Sequence, residues 1–391
     1  MLPLHGIRIL DLTRLLPGPF CSLMLADMGA EVIKVEDTAI GDYLRWGPVM
    51  VSDTQSIFFM ALNRNKQSMK LNLKPKEGKE IFARLVQSAD VVLDGFRPGR
   101  LDKLGVGYEA MRKINPRIIY CAISGYGQDG PYKDRAGHDL NYIARAGLLD
   151  LFGKKDGEPI MPAAQIADLT GAYLAAIGVL SAIVARATTA RGQFVDISMM
   201  DGVWPWMISL LPRYWHDGTE TQRGELPLGG AMPCYNLYEC KDGQWLTLGA
   251  LEPQFWATFC KRVGHEEWME HQRDSGAEAE PTFAALRALF KSKARDEWLA
   301  FFADADVCIE PMLTIAEATN DPHMQHRRMI VEIDQPHVGK IKQTASPLKL
   351  SDITEPRREP SPEYGAQTEP ILRELRYDDE EIAALREKRV I

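Results

Sequence analysis

Several absences narrow the function of this sequence early. Its six cysteines (Cys21, Cys121, Cys234, Cys240, Cys260 and Cys308) include no C-x-x-C pair. Neither a disulfide framework nor a zinc site is therefore expected, and reduced thiols follow. Basic charge is scarce, with 46 Lys and Arg against 54 Asp and Glu and a net charge of -8. A phosphate backbone wants a basic face, so nucleic acid is not expected as a partner, although a local basic pocket is compatible. The longest apolar run, Gly171 to Ala185, falls short of the roughly 20 residues that cross a bilayer. No membrane partner is expected. The first residues, with His5 and Arg8, lead directly into a strand pattern without the apolar stretch of a signal peptide, so a cytoplasmic location is expected. Internal repeats and long runs of like charge are also missing.

What remains is ordinary globular composition, 45% apolar and 26% charged, over 391 residues. That length exceeds one ordinary core and suggests two or three domains. Ile7 to Leu12 reads as a strand, Pro17-Gly18-Pro19 opens a helix running to about Met28, and Glu31 to Glu36 is a second strand, together a βαβ unit. Lys76 to Ser88 and Tyr108 to Ile114 read as helices, Val91 to Phe96 and Arg117 to Ser124 as strands, with Pro116 stopping a helix between them. This alternation predicts the α/β class, with a parallel sheet covered by helices on both faces. From Gly224 the character changes. The strand Trp245 to Leu248 and amphipathic helices Phe255 to Val263, Phe283 to Phe290 and Asp296 to Ala303 predict a smaller α+β domain over 225–330. Met329 to Leu350 suggests a hairpin, Ser351 to Tyr364 a polar, Pro-rich linker, and 331–391 as a whole a C-terminal segment packing back. Gly125-Tyr126-Gly127-Gln128-Asp129-Gly130 spells G-x-G-x-x-G after a strand, but Pro131 to Arg135 shows no apolar periodicity. A dinucleotide fingerprint must open a helix, so the nicotinamide reading is rejected.

Two groups able to trade protons stand out. The pattern Leu140, Ile143, Ala144, Gly147 and Leu148 predicts a helix with those residues toward the core. His138, Asn141, Tyr142 and Arg145 then face a cavity or solvent. Leu169 to Ala185 is apolar nearly all round, with Gly171, Ala175, Gly178 and Ala182 small enough for close contact, which predicts a fully buried helix. Asp168 stands at its mouth. Proton chemistry on a bound small molecule needs such a carboxylate and an outward histidine. Taken singly, each candidate also has a plain structural role: Asp168 as an N-cap, Glu252-Pro253 as a helix start, His138 as a surface residue.

Several phrases occur together: Asp11-Leu12-Thr13-Arg14 with Pro17-Gly18-Pro19-Phe20, Ala26 to Glu36, Asn65-Lys66, Gly95-Phe96-Arg97-Pro98-Gly99, Ser124 to Gln128, Ala167-Asp168 and Gly192 to Asp196. In these the chain resembles the family III coenzyme A transferases, the CaiB/BaiF family, along nearly its full length. Within that family, Gly137-His138-Asp139-Leu140-Asn141-Tyr142 and Gly249 to Phe255 resemble the α-methylacyl-CoA racemases. Ordinary transferases of the family usually lack that histidine and the glutamate Glu252. They often carry a longer glycine run where this chain has Gly229-Gly230. The resemblance implies a large Rossmann-like domain over residues 1–210, a small domain beside it, a C-terminal segment returning to the large domain, and two subunits interlocked as rings. It also implies an active site between the large domain of one subunit and the small domain of the other.

The function implied is that of an isomerase, an α-methylacyl-CoA racemase inverting the 2-methyl centre of an acyl-CoA by two-base proton transfer through an enolate. His138 and Asp168 are the implied acid/bases, and Glu252 orients and charges His138. Backbone N–H groups at the start of the Asp168 helix are expected to stabilise the enolate. Leu71, Asn72, Leu73, Lys74, Gly95, Phe96, Arg97 and Lys103 are the implied contacts to the nucleotide and pantetheine. Gly137, Asp139, Leu140, Asn141 and Tyr142 run along the reacting end. Arg97 and Lys103 meet phosphates on this reading, or form a solvated face on the plainer one. Met199, Met200, Trp204, Trp206 and Met207 line an acyl pocket or, with more weight, pack a core. Coenzyme A enters only as part of the acyl-CoA thioester, with no permanent cofactor and no metal expected. Two other readings stay open. A CoA transferase would move CoA between carboxylic acids with Asp168 carrying the acyl group as a mixed anhydride. A non-enzymatic acyl-CoA binding protein would leave His138 and Glu252 without a task.

Overall fold

Ile9 and Leu10 are both fully buried, so strand β1 (Arg8–Asp11) is covered on its two faces, as parallel-sheet strands are. The other strands of its sheet are β2 (Glu31–Glu36), β3 (Lys66–Lys70), β4 (Val91–Asp94), β5 (Ile119–Ser124) and β6 (Phe194–Ser198). All pairs are parallel, in the spatial order β3-β2-β1-β4-β5-β6, with Leu10 opposite Ile33 on one side and Val92 on the other. This is the doubly wound order, and its crevice opens where the winding reverses between β1 and β4. The computed structural model describes residues 1–353 and 356–391; Thr354 and Glu355, inside the expected linker, lie outside the described residues.

Two layers of helix cover the sheet. Lys76–Ser88 places Ile81, Phe82, Leu85 and Val86 at helical spacing into a core with Leu10, Ile33, Val92 and Tyr120. Thr368–Glu374 and Asp379–Glu387 add Ile371, Leu372, Ile382 and Leu385 to that same core. On the other face lie α1 (Pro17–Asp27), α2 (Asp139–Arg145) and the long α3 (Ile166–Thr189). A Cβ on Gly178 would fall 2.7 Å from Val195 Cγ1, so the missing side chain sets how closely α3 lies on β6.

The structure corrects two expectations about α3. It has 24 residues, with a mean hydropathy of 1.7 over 18 of them, long and apolar enough by those measures to cross a membrane, because it continues beyond both ends of the apolar run. Nor is it fully buried. Ala172, Ala175, Val179 and Ala182 face the core, whereas Tyr173, Ile177 and Val184 are 46%, 58% and 73% exposed. In an all-apolar helix, periodicity does not mark the inner face; the small residues do.

The chain forms two compact units, residues 1–146, 163–206 and 325–391 in one and 147–162 with 207–324 in the other. The first also carries the hairpin of β10 (Ile330–Gln335) and β11 (Gly339–Thr344). In the second, β7 (Tyr235–Glu239), β8 (Trp245–Gly249) and the short β9 (Ile309–Pro311) form an antiparallel sheet. Its core is aromatic, with Trp256, Phe259, Phe290, Trp298 and Phe302 in contact with one another as stacked or edge-on rings.

Candidate active site

At the carboxyl ends of β1, β4 and β5 the chain leaves the sheet in loops that enclose a cavity of about 520 Å3, the place where open α/β sheets bind ligands. Thr13, Arg14 and Leu15 form one wall, Gly95, Phe96 and Arg97 the next, and Ser124, Gly125 and Tyr126 the third. Gly137, His138, Tyr142 and Asp168 close the remaining side, with Met199 following β6.

Each wall has a local cause. Asp94 ends β4 by accepting from the Phe96 N–H at 2.8 Å and the Tyr120 hydroxyl at 2.9 Å, which seats the Gly95-Phe96-Arg97 turn. Burial pushes its carboxyl up to about 6 against those two hydrogen bonds. Tyr142 is buried, and its hydroxyl donates to Gly137 O at 2.5 Å. A Cβ on Gly125 or Gly137 would meet its ring at 2.4 or 2.7 Å, so both glycines make room for it. This corrects the expected face of α2. Tyr142 and Ile143 point inward while Leu140 and Ala144 are exposed, because the ring fills the space the glycines leave. His138 is exposed as expected, and its N–H donates to Asn141 Oδ1 at 3.0 Å at the start of α2.

Asp168 is the third residue of α3, behind an N-cap at Gln165. The capping oxygen comes from elsewhere: Asp139 Oδ1 accepts from the N–H groups of Ala167 at 2.6 Å and Asp168 at 3.1 Å. The Asp168 carboxylate is thus not an N-cap, and it accepts no hydrogen bond from the described residues. Burial first, and then the charge of Asp139, push it up to about 6, with His138 pulling the other way. Such a group is ionised and unencumbered near neutral pH, as a base or nucleophile must be. The same hydrogen bonds narrow another expectation. Two of the helix-start N–H groups proposed as enolate donors are already taken by a carboxylate.

The structure brings Gly95, Phe96, Arg97, Gly137, His138, Tyr142 and Asp168 to one cavity. Others are not part of its lining. Leu71 is in the sheet core, Leu73 packs against that core, and Asn72 donates its N–H to Val390 O at 2.8 Å. Lys74 and Lys103 are exposed outside the cavity lining, as are Leu140 and Asn141, while Asp139 acts on the cavity through α3. Glu252 is exposed in the second unit, immediately before Pro253 of α4 (Pro253–Val263), and its side chain does not cap that helix. Met199 is buried on the cavity wall, whereas Trp204 and Trp206 are exposed rather than core. Sequence reading missed Arg14, Tyr43, Lys133 and Arg135 on the lining. The signal for two of them was a pair of cations in the aperiodic stretch just before Gly137. Among the described residues no three or more His, Cys, Asp or Glu side chains are grouped to hold a metal ion.

The family model described as CoA-transferase family III matches residues 4–368. Succinyl-CoA:glutarate CoA-transferase of Mus musculus is 34% identical over 98% of this chain and 89% of its own length. Formyl-CoA:oxalate CoA-transferase of Shigella sonnei is 33% identical over 100% of this chain and 99% of its own. Among solved structures, a CAIB/BAIF family protein from Brucella suis superposes with a TM-score of 0.83 at 31% identity, covering 96% of this chain and 99% of that one.

Proposed function

The chain belongs to CoA-transferase family III, and from that premise we propose that it moves CoA between carboxylic acids with Asp168 as the acyl carrier. The observation that carries this reading is the Asp168 carboxylate itself, on the cavity wall, without a hydrogen-bond partner among the described residues and pushed up to about 6. An oxygen of Asp168 attacks the thioester carbonyl, the C–S bond breaks, and the electron pair leaves on the CoA sulfur. The acyl group now sits on Asp168 as a mixed anhydride. CoA thiolate then attacks the aspartyl carbonyl, releasing the first carboxylate, and the incoming carboxylate displaces CoA in the mirror sequence. No net proton transfer is required. Arg14, Arg97, Lys133 and Arg135 on the same lining supply positive charge for a polyanionic CoA ester in a chain that is acidic overall.

One observation favours a second reading. His138 lies on the same cavity as Asp168, as the two-base racemase requires, and Glu252 is its proposed partner. The named relatives are transferases, however, and two of the helix-start N–H groups are occupied, so transfer takes precedence over racemisation. Succinyl-CoA with glutarate and formyl-CoA with oxalate are the first pairs to assay, by formation of the second CoA ester. Transfer by the wild type and its loss in Asp168→Asn support the reading; α-proton exchange of a 2-methylacyl-CoA without transfer contradicts it. The interlocked homodimer and the cytoplasmic location belong to the same proposal, the former in keeping with the exposed stripe of Tyr173, Ile177 and Val184.

A further inference from the structure

Beneath the cavity wall after β1 lies a buried ion pair that the transfer chemistry does not use. Lys34, in the middle of β2, and Asp42 are both fully buried, with Lys34 Nζ 2.8 Å from Asp42 Oδ2. Each partner also holds the loop above it. Lys34 Nζ donates to Thr13 O at 2.9 Å, and Asp42 Oδ1 accepts from the Leu15 N–H at 3.1 Å and the Leu44 N–H at 3.0 Å. Between those two anchor points Arg14 is fixed from outside, by Asp37 Oδ2 at 2.5 Å and the Tyr43 hydroxyl at 3.2 Å. A second buried pair braces the same turn from below. Asp11 accepts from the Thr13 N–H at 2.9 Å and stands 3.6 Å from Lys66 Nζ, which itself holds Pro19 O at 2.9 Å.

The loop needs such holding because Leu15 has φ +63°, a left-handed conformation that a leucine adopts only when its surroundings over-determine it. A buried ion pair is a poor way to gain stability, since desolvating two charges offsets most of their attraction and an apolar pair of similar volume does as well. An apolar pair has no donor for Thr13 O and no acceptor for Leu15 N–H. We infer that Lys34 and Asp42 are positioning residues, which hold Thr13-Arg14-Leu15 in a strained turn that presents Arg14 and the loop backbone to the CoA ester. The inference rests on the reading of the cavity as a CoA-ester site. It adds that affinity for CoA is set partly by residues that never touch it.

Direct titration of the full-length protein with CoA by calorimetry tests this without reference to turnover. The wild type is expected to bind; no binding overturns the cavity reading and this inference with it. Asp42→Asn keeps an oxygen for Leu15 N–H but breaks the ion pair, and is expected to weaken CoA binding about tenfold. Adding Leu15→Gly removes the backbone strain, so the double variant Asp42→Asn/Leu15→Gly is expected to recover part of that loss, a rescue that a purely structural role does not give. Where Asp42→Asn fails to fold, Leu15→Ile serves instead: it leaves the pair intact at a partly exposed site, disfavours the left-handed backbone further, and is expected to weaken CoA binding severalfold. Wild-type affinity in Leu15→Ile and in folded Asp42→Asn overturns the inference while leaving the cavity reading standing.

Discussion

Asp168 works against the fold that holds it. Its carboxyl ionises near the ordinary 3.8 in the unfolded chain and at about 6 in the folded one. The native state therefore binds the proton more tightly, and the stability this confers is complete below pH 3.8 and lost as pH rises through about 6. At about 1.4 kcal/mol per pH unit, discounted for partial exposure, the cost near neutrality is on the order of 2 kcal/mol. Asp168→Asn keeps the shape without the charge. It is expected to abolish transfer yet raise stability by about that amount near pH 7.5, with no gain below about pH 3.5, read as denaturant midpoints at the two pH values. Transfer needs the carboxylate form, so kcat/KM should rise with pH through about 6. In Asp139→Asn the neighbouring charge is gone while an amide oxygen still caps α3, so this acid limb should move down by roughly half a unit to one unit. A limb that stays in place would leave burial as the sole cause of the shift.

At the level of elements, α3 carries Asp168 to the cavity, and its seat on β6 depends on glycine. Gly178→Val puts methyl groups where Val195 already lies, and overpacking of this kind costs about 1–3 kcal/mol, readable as a lower melting temperature. Unchanged melting would mean that the interface yields at no cost. The sequence made the alternation of strand and helix legible, because buried parallel strands are continuous apolar runs and turns are marked by Gly and Pro. Strand order was not legible, because it depends on which strands pair across the helices between them. The inner face of α3 was hidden, since Tyr173, Ile177 and Val184 are as apolar as the residues facing the core. The orientation of α2 was misread for a related reason: a polar-ended ring outcompeted Leu140 for buried space that Gly125 and Gly137 create. Asp168 and His138, which line one cavity, stood out in the chain by their helical pattern. The Asp139 cap, the Lys34–Asp42 pair and Arg14 did not, because each depends on how separate segments meet in the fold, and the pair of cations Lys133 and Arg135 was passed over.

For the whole molecule, two expectations remain to be measured. If the subunits are interlocked, protomer folding and assembly are inseparable, and sedimentation at low concentration should show no folded monomer; a folded monomer contradicts the interlocked assembly. The second is the role proposed for Asp168, a nucleophile and not one of a pair of proton-transfer bases. It is tested most directly by giving the wild type a 2-methylacyl-CoA in deuterated water without an acceptor acid, then examining both protein and substrate by mass spectrometry. A nucleophilic Asp168 should give an acyl adduct on Asp168 that hydroxylamine removes, delivery of CoA to a carboxylic acid added afterwards, and no deuterium at the α carbon. Rapid α-deuteration with inversion, and no adduct on Asp168, would contradict it and establish the racemase instead.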